Sequence, residues 1–319
     1  MCVLPIIWKR TRICWFLQSG FCSQAHPKNL TLGELKRLLV HLFHLKQFIG
    51  ESLSSDSGSS TVASSTPFNP LVVYRPAQVL GAGDSYLNEQ VRRVLEQSGS
   101  ALTADGEVPH HFIGASPTYS ALSHATMPGP NCFWVRTCLR YADMSGNITW
   151  LRGYLPTMRS ALDHLRRNVN RTVGLLRSPG SLFIDVFDRH GFVSDSNAML
   201  VGLLADFAGA EAVVGNAANA ATLLRESARL RAAMQRRLWA APSAGADHFV
   251  TALLDDNVSI YDMIDYDANL IAVAHNTPAD DALARRVVRR VDSGKCTAVK
   301  GAGPQFVSEG CYDTNHPGR

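Results

Sequence analysis

Apolar positions recur at three- and four-residue intervals along most of this chain, the period of helices that each bury one face. Thr31 and Glu34 form a capping box that opens a helix through about residue 49, with Leu35, Leu38, Leu39, Leu42 and Phe43 on one side. Residues 52–65 are Ser-rich, carry no core-forming pattern and read as a linker. Further helices are expected over residues 86–98, 131–144 and 149–168, the last with Pro156 delaying its start or kinking it. Another runs from Ser194 or Asp195, as cap, to about 209 or 214. Residues 217–239, 262–275 and 279–291 complete the helical set. Between them, residues 105–130 are interrupted by Pro109, Pro117, Pro128 and Pro130 and read as loop, while 181–187 and 248–254 read as extended segments.

The turns recur as well. Gly146-Asn147 and Gly215-Asn216 each separate two helices, and Asn276-Thr277-Pro278 separates a third pair, at a spacing of about 60–70 residues. Glycine supplies the left-handed residue that ends a helix. An amphipathic hairpin cannot bury its apolar face alone, so repeated hairpins must stack and close a shared core. The expected fold is all-α: an αα-hairpin toroid, (α/α)6 barrel-like and incomplete, with short extended segments at the loop end. Two regions are expected, a poorly defined N-terminal helix with its Ser-rich linker over 1–66 and the partial toroid over 67–319.

Five stretches resemble the six-hairpin glycosidases. They are Gly106-Glu107-Val108-Pro109-His110; Gly129-Pro130-Asn131-Cys132-Phe133-Trp134 with Tyr141-Ala142; Phe183-Ile184-Asp185-Val186-Phe187-Asp188 with Asn197-Ala198; the Ala-rich helix ending in Leu238-Trp239; and Asp265-Tyr266-Asp267-Ala268-Asn269-Leu270. The order and spacing of these stretches over about residues 105–310 carry the resemblance. It implies a glycoside hydrolase working through carboxyl acid/base catalysis on a carbohydrate substrate, or a catalytically inactive relative that binds carbohydrate or acts as a scaffold.

Glycoside cleavage needs two carboxyl groups, one to protonate the leaving oxygen and one to activate water or attack the anomeric carbon. Asp185 lies among Leu182, Phe183, Ile184, Val186 and Phe187, apolar surroundings that raise a carboxyl pKa as a general acid requires; alternatively it pairs with Arg189. Asp188 is its neighbour on the opposite face of an extended strand. Glu309 follows a Gly/Pro-rich loop and is the candidate second carboxylate or sugar ligand, unless that group lies beyond Arg319. His110 and Asn131 are candidate hydrogen-bonding groups for sugar, and Trp134 either stacks on a pyranose or belongs to the core. Asp265, Asp267 and Asn269 either stabilise a helix N-terminus or bind sugar hydroxyls, with Asp262 a weaker candidate.

Composition narrows the classes. The chain has 319 residues, 46% hydrophobic and 18% charged, so it is long enough for a core and not patterned for disorder. A net charge of +4 without an aromatic-interleaved basic groove argues against nucleic acid as a partner. Seven cysteines with no CxxC pair signal neither zinc nor a disulfide framework. Pro109 disfavours the helix on which Glu107 and His110 would meet as metal ligands, so neither a metal nor another cofactor is expected. No GxSxG, Walker or dinucleotide fingerprint occurs. No membrane span is expected; Lys9, Arg10 and Arg12 before a short apolar run leave cytoplasmic and secreted locations both open.

Overall fold

The computed structural model of the protein describes residues 85–120, 128–180, 182, 189–242, 245–262 and 265–292. The capping box at Thr31, the Ser-rich linker, the 66/67 boundary, and Asp185, Asp188 and Glu309 lie outside the described residues.

The described residues form seven helices: α1 (Ser85–Ser100), α2 (Gly129–Ser145), α3 (Ile148–Arg167), α4 (Ser194–Val213), α5 (Ala217–Arg237), α6 (Tyr266–Ala274) and α7 (Asp281–Asp292). Three hairpins follow in order, α2–α3, α4–α5 and α6–α7, with α2 against α4 and α4 against α6. That places α2, α4 and α6 in an inner layer, with α3, α5 and α7 each packed on the inner helix that precedes it. The sequence explains the sorting. The stretch Ala198-Met199-Leu200-Val201 of α4 is buried throughout, as a helix enclosed by neighbours requires. By contrast α5 buries Leu223, Leu230, Ala233 and Met234 and turns Arg225, Arg229, Arg236 and Arg237 outward. Each large apolar side chain removed from water contributes about 1.5–3 kcal/mol, and Leu155, Met158, Leu162 and Phe207 are among the fully buried ones.

The Gly-Asn pairs act twice over. Gly146 adopts a left-handed φ of 63° as the C-cap of α2, and Asn147 then accepts a hydrogen bond from the Trp150 N–H as the N-cap of α3. Gly215 and Asn216 repeat the arrangement between α4 and α5, where Asn216 accepts from the Asn219 N–H. At the third turn Asn276 takes the left-handed role with φ 55°, which asparagine tolerates better than most residues.

Several expectations are corrected. Pro156 does not delay α3, which starts at Ile148; it sits inside the helix on an exposed face, where the carbonyl that loses its partner is open to solvent. Neither Ser194 nor Asp195 caps α4: Ser194 donates its hydroxyl to the Val250 carbonyl, and Asp195 lies inside the first turn. The helix expected from Asp262 starts at Tyr266, capped by Asp265, which accepts from the Ala268 N–H at 3.1 Å. Part of the 105–130 loop pairs as a short antiparallel hairpin, β1 (His111–Ile113) with β2 (Ser116–Thr118). Of the expected extended segments, 248–254 contributes β4 (Ala252–Leu253) to a small antiparallel sheet with β3 (Phe192–Val193) and β5 (Ile260–Tyr261), while 181–187 lies outside the described residues except for Leu182.

The return path through short turns means that α2, α4 and α6 run parallel, and the three long connections before them gather at one end. Two glycines let those connections touch. A Cβ on Gly129, at the start of α2, would stand 1.8 Å from the Leu182 carbonyl oxygen. One on Gly191 (φ 92°) would stand 2.5 Å from that of Leu253.

Candidate functional site

The loop end is built around one device used three times. In the first turn of each inner helix a buried asparagine clips the preceding connection. Asn131 accepts from the Val108 N–H at 3.0 Å and donates to the carbonyls of Gly106 and Ala161. Asn197 accepts from the Leu176 N–H at 2.7 Å and donates to the carbonyls of Leu176 and Val193. Asn269 accepts from the Phe249 N–H at 2.7 Å and donates to the carbonyls of Phe249 and Asp265. A primary amide has two donor hydrogens, and in all three residues both are used. Asn131, read from the sequence as a sugar contact, is therefore spent on holding its own loop.

Between α4 and α6, under those loops, lies a charge cluster with no exposed side-chain surface. Arg189 approaches Asp265 at 2.7 Å and Asp195 at 3.7 Å. Asp195 also accepts from the Leu182 N–H at 3.1 Å and from the Ser196 hydroxyl at 2.7 Å. Burial, opposed by Arg189 and reinforced by the second carboxylate of Asp265, pushes the Asp195 carboxyl above its ordinary value. Both aspartates lie at helix N-termini, where the dipole favours negative charge. Two carboxyl groups around one guanidinium leave the cluster one formal negative charge in excess, which burial of Asp195 opposes by favouring its protonated form.

The remaining sequence candidates divide. Trp134 is fully buried and donates its indole N–H to the Leu95 carbonyl at 3.0 Å, so it helps seat α1 and presents no face to solvent. Asp267 is buried in the first turn of α6. His110 is half-buried beside His111, with their Nδ1 atoms 3.1 Å apart, and its N–H donates to the Thr118 carbonyl. Asp185 and Asp188 belong to the segment between Leu182 and Arg189, and both of those flanking residues contact Asp195.

A second charged group at this end, centred on His248, had no counterpart in the sequence reading. His248 is buried, with Nδ1 2.8 Å from Asp247 and Nε2 2.9 Å from Asp262. Burial disfavours its positive charge, but the two carboxylates outweigh that and hold the imidazole above its ordinary value. Asp262, a weak sugar candidate in the sequence, is thus engaged by His248. Among the described residues no three His, Cys, Asp or Glu side chains gather as metal ligands would, and no helix is long and apolar enough to cross a membrane.

No family model and no curated protein matches the sequence. Solved structures do match in fold. A GH78 family rhamnosidase of Bacillus sp. GL1 aligns with TM-score 0.55 and 18% identity over 66% of this chain and 21% of its own. A rhamnosidase from Klebsiella oxytoca, with rhamnose bound, aligns with TM-score 0.55 and 14% identity over 72% of this chain and 41% of its own. A sugar epimerase from a ruminal bacterium aligns with TM-score 0.54 and 12% identity over 75% of this chain and 62% of its own. The chain therefore spans well under half the length of either rhamnosidase. At these identities the likeness is one of fold alone, that of an αα-hairpin toroid.

Proposed function

We propose that the loop end binds a carbohydrate and that the reaction is cleavage of a glycosidic bond by carboxyl acid/base chemistry. The observation that carries this is the buried Asp195–Arg189–Asp265 cluster at the N-termini of neighbouring inner helices, beneath long connections, in a fold shared with two rhamnosidases. In this reading Asp185 is the general acid. Asp195 is a positioning residue, holding the Leu182 N–H on one side of the acid's segment and Arg189 on the other. Glu309 is the second carboxylate, and His110, Asp188, Asp265 and Asp267 contribute polar contacts to the sugar or to its neighbours.

The test is release of the aryl group from a panel of aryl glycosides that includes an aryl rhamnoside. Asp185→Asn is expected to lower kcat by about 10²–10⁴, the range for a lost general acid or base, with the thermal midpoint unchanged. Asp195→Asn is expected to lower kcat through misplacement of the acid and to alter the pH profile. Equal turnover by wild type and Asp185→Asn overturns the assignment of the acid. Absence of release from every glycoside overturns the hydrolytic reading.

One observation favours a second reading. The sugar epimerase is covered over 62% of its length, more than either rhamnosidase. Carboxyl and imidazole groups at the same end also suit proton transfer on a free sugar. Conversion of a free aldose without release from any glycoside would select it. Sugar binding without either reaction would select a carbohydrate-binding relative.

A further inference from the structure

A cavity of about 280 Å³ lies between the α2–α3 hairpin and α4, near their short turns. Its polar lining is Arg136, Arg140, Asp143 and Asp206, and Leu139 and Leu151 contribute apolar wall.

Arg136 is the unusual member. It is 4% exposed, and its Nη1 donates to Met199 Sδ at 3.4 Å and to His275 Nε2 at 3.1 Å. Its Nε finds no acceptor, and among the described residues the guanidinium forms no ion pair. Burial and the Arg136 and Arg140 charges hold His275 well below its ordinary value, so the imidazole is neutral and compensates nothing. Burial likewise lowers Arg136 to about 10, which leaves it charged at neutral pH. A buried cation whose partners are a thioether and a neutral ring is costly unless an anion completes it.

The outer members set the kind of anion. Asp143 and Asp206 are exposed, and Asp206 attracts Arg136 from beyond ion-pair distance. Asp143 lies 3.9 Å from Arg140, so the four charged groups of the lining cancel and leave the buried Arg136 to match a single carboxylate better than a dianion, and the apolar wall suits a short hydrocarbon body. We propose that this cavity binds a small monocarboxylate, its carboxylate directed at Arg136 and Arg140 and its apolar part against Leu139 and Leu151. The bound ligand would bridge α2 and α4, and through the Arg136–His275 contact it would also tie in the end of α6.

Titration calorimetry and thermal unfolding of the full chain with hexanoate, hexylamine and inorganic phosphate test this. Hexanoate is expected to bind at least tenfold more tightly than phosphate and to raise the thermal midpoint by about 5 °C at a hundredfold excess over Kd. Hexylamine is expected not to bind. Arg136→Met should abolish hexanoate binding. Because Arg136 also holds His275, Gly209→Leu provides an independent variant. Gly209 lines the cavity and a Cβ built on it meets nothing within 4 Å, so a side chain can start there and extend over the opening. The leucine should weaken hexanoate at least tenfold while the thermal midpoint holds or rises. Unchanged hexanoate affinity in Gly209→Leu, equal binding of hexylamine, or no hexanoate binding by wild type overturns the proposal.

Discussion

The inner helices bury opposite charges in two places. At the loop end, where α4 and α6 begin, two buried aspartates surround a single arginine. At the turn end, Arg136 of α2 is buried with a neutral histidine and a thioether, and Arg140 stands one turn further on. The helices run in the same direction, so their dipoles add: positive ends gather at the loop end and negative ends at the turn end. Asp195 and Asp267 follow this at the first turns of α4 and α6, but no inner helix carries a basic residue in its last turn, so the buried Arg136 owes its place to packing rather than to the dipole. The energetic weight also differs. The loop end is held by buried charges and by asparagine clips whose partners are backbone groups, whereas the outer helices are tied by more exposed pairs such as Arg166 with Glu226.

That difference is broken most severely at Arg189. Arg189→Met leaves two buried carboxyls facing each other, and the expected loss is about 3–5 kcal/mol, or on the order of 10 °C in thermal midpoint. A variant as stable as wild type would show that the cluster is not charged as described. Next come the clips. Asn197→Ala strands the buried N–H and carbonyl of Leu176, and chemical unfolding should register a loss of about 2–3 kcal/mol. Asn131→Ala and Asn269→Ala should fall in the same range, because the device is the same; a much smaller effect at one of them would separate that loop from the others.

The His248 group should give a smaller, pH-dependent effect. Its folded pKa is raised above the ordinary 6.5, so its contribution to stability is fully present below that value and is lost as the pH rises through the folded pKa. His248→Gln should remove this slope from a stability–pH profile recorded from pH 6 upward. A slope of the opposite sign would contradict the pairing with Asp247 and Asp262. The smallest expected change is a gain. Gly153 lies inside α3, on an exposed face, with nothing within 4 Å of a built Cβ. Gly153→Ala should stabilise by about 0.5–1 kcal/mol in the same unfolding assay.

The helices were legible because their signals are local. The three-to-four spacing of Leu151, Leu155, Met158 and Leu162 needs no knowledge of neighbours, and Gly146-Asn147 marks a boundary by its own conformational freedom. The Asp195–Arg189–Asp265 cluster was not legible, because Asp265 reaches the other two only after a whole hairpin has folded back. Asn131's structural engagement, and the choice between core and stacking roles for Trp134, were hidden for a related reason. An asparagine that clips a loop and one that binds a sugar have the same sequence appearance until the loop's backbone is located. A usable signal did exist. Asn131, Asn197 and Asn269 each stand third or fourth in an inner helix, and that recurrence follows the period of the hairpins, marking a structural rather than a catalytic role. The hairpin of β1 with β2 escaped notice because prolines dominate residues 105–130 and mask a pairing of only three residues per strand.

The central claim is that carbohydrate is held at the loop end, and hydrogen exchange with and without rhamnose tests it most directly. The account predicts slower exchange over residues 174–196 and 248–269, with 139–151 and 206–213 unaffected. Protection confined to the turn-end segments, or none at saturating sugar across the loop end, would contradict it.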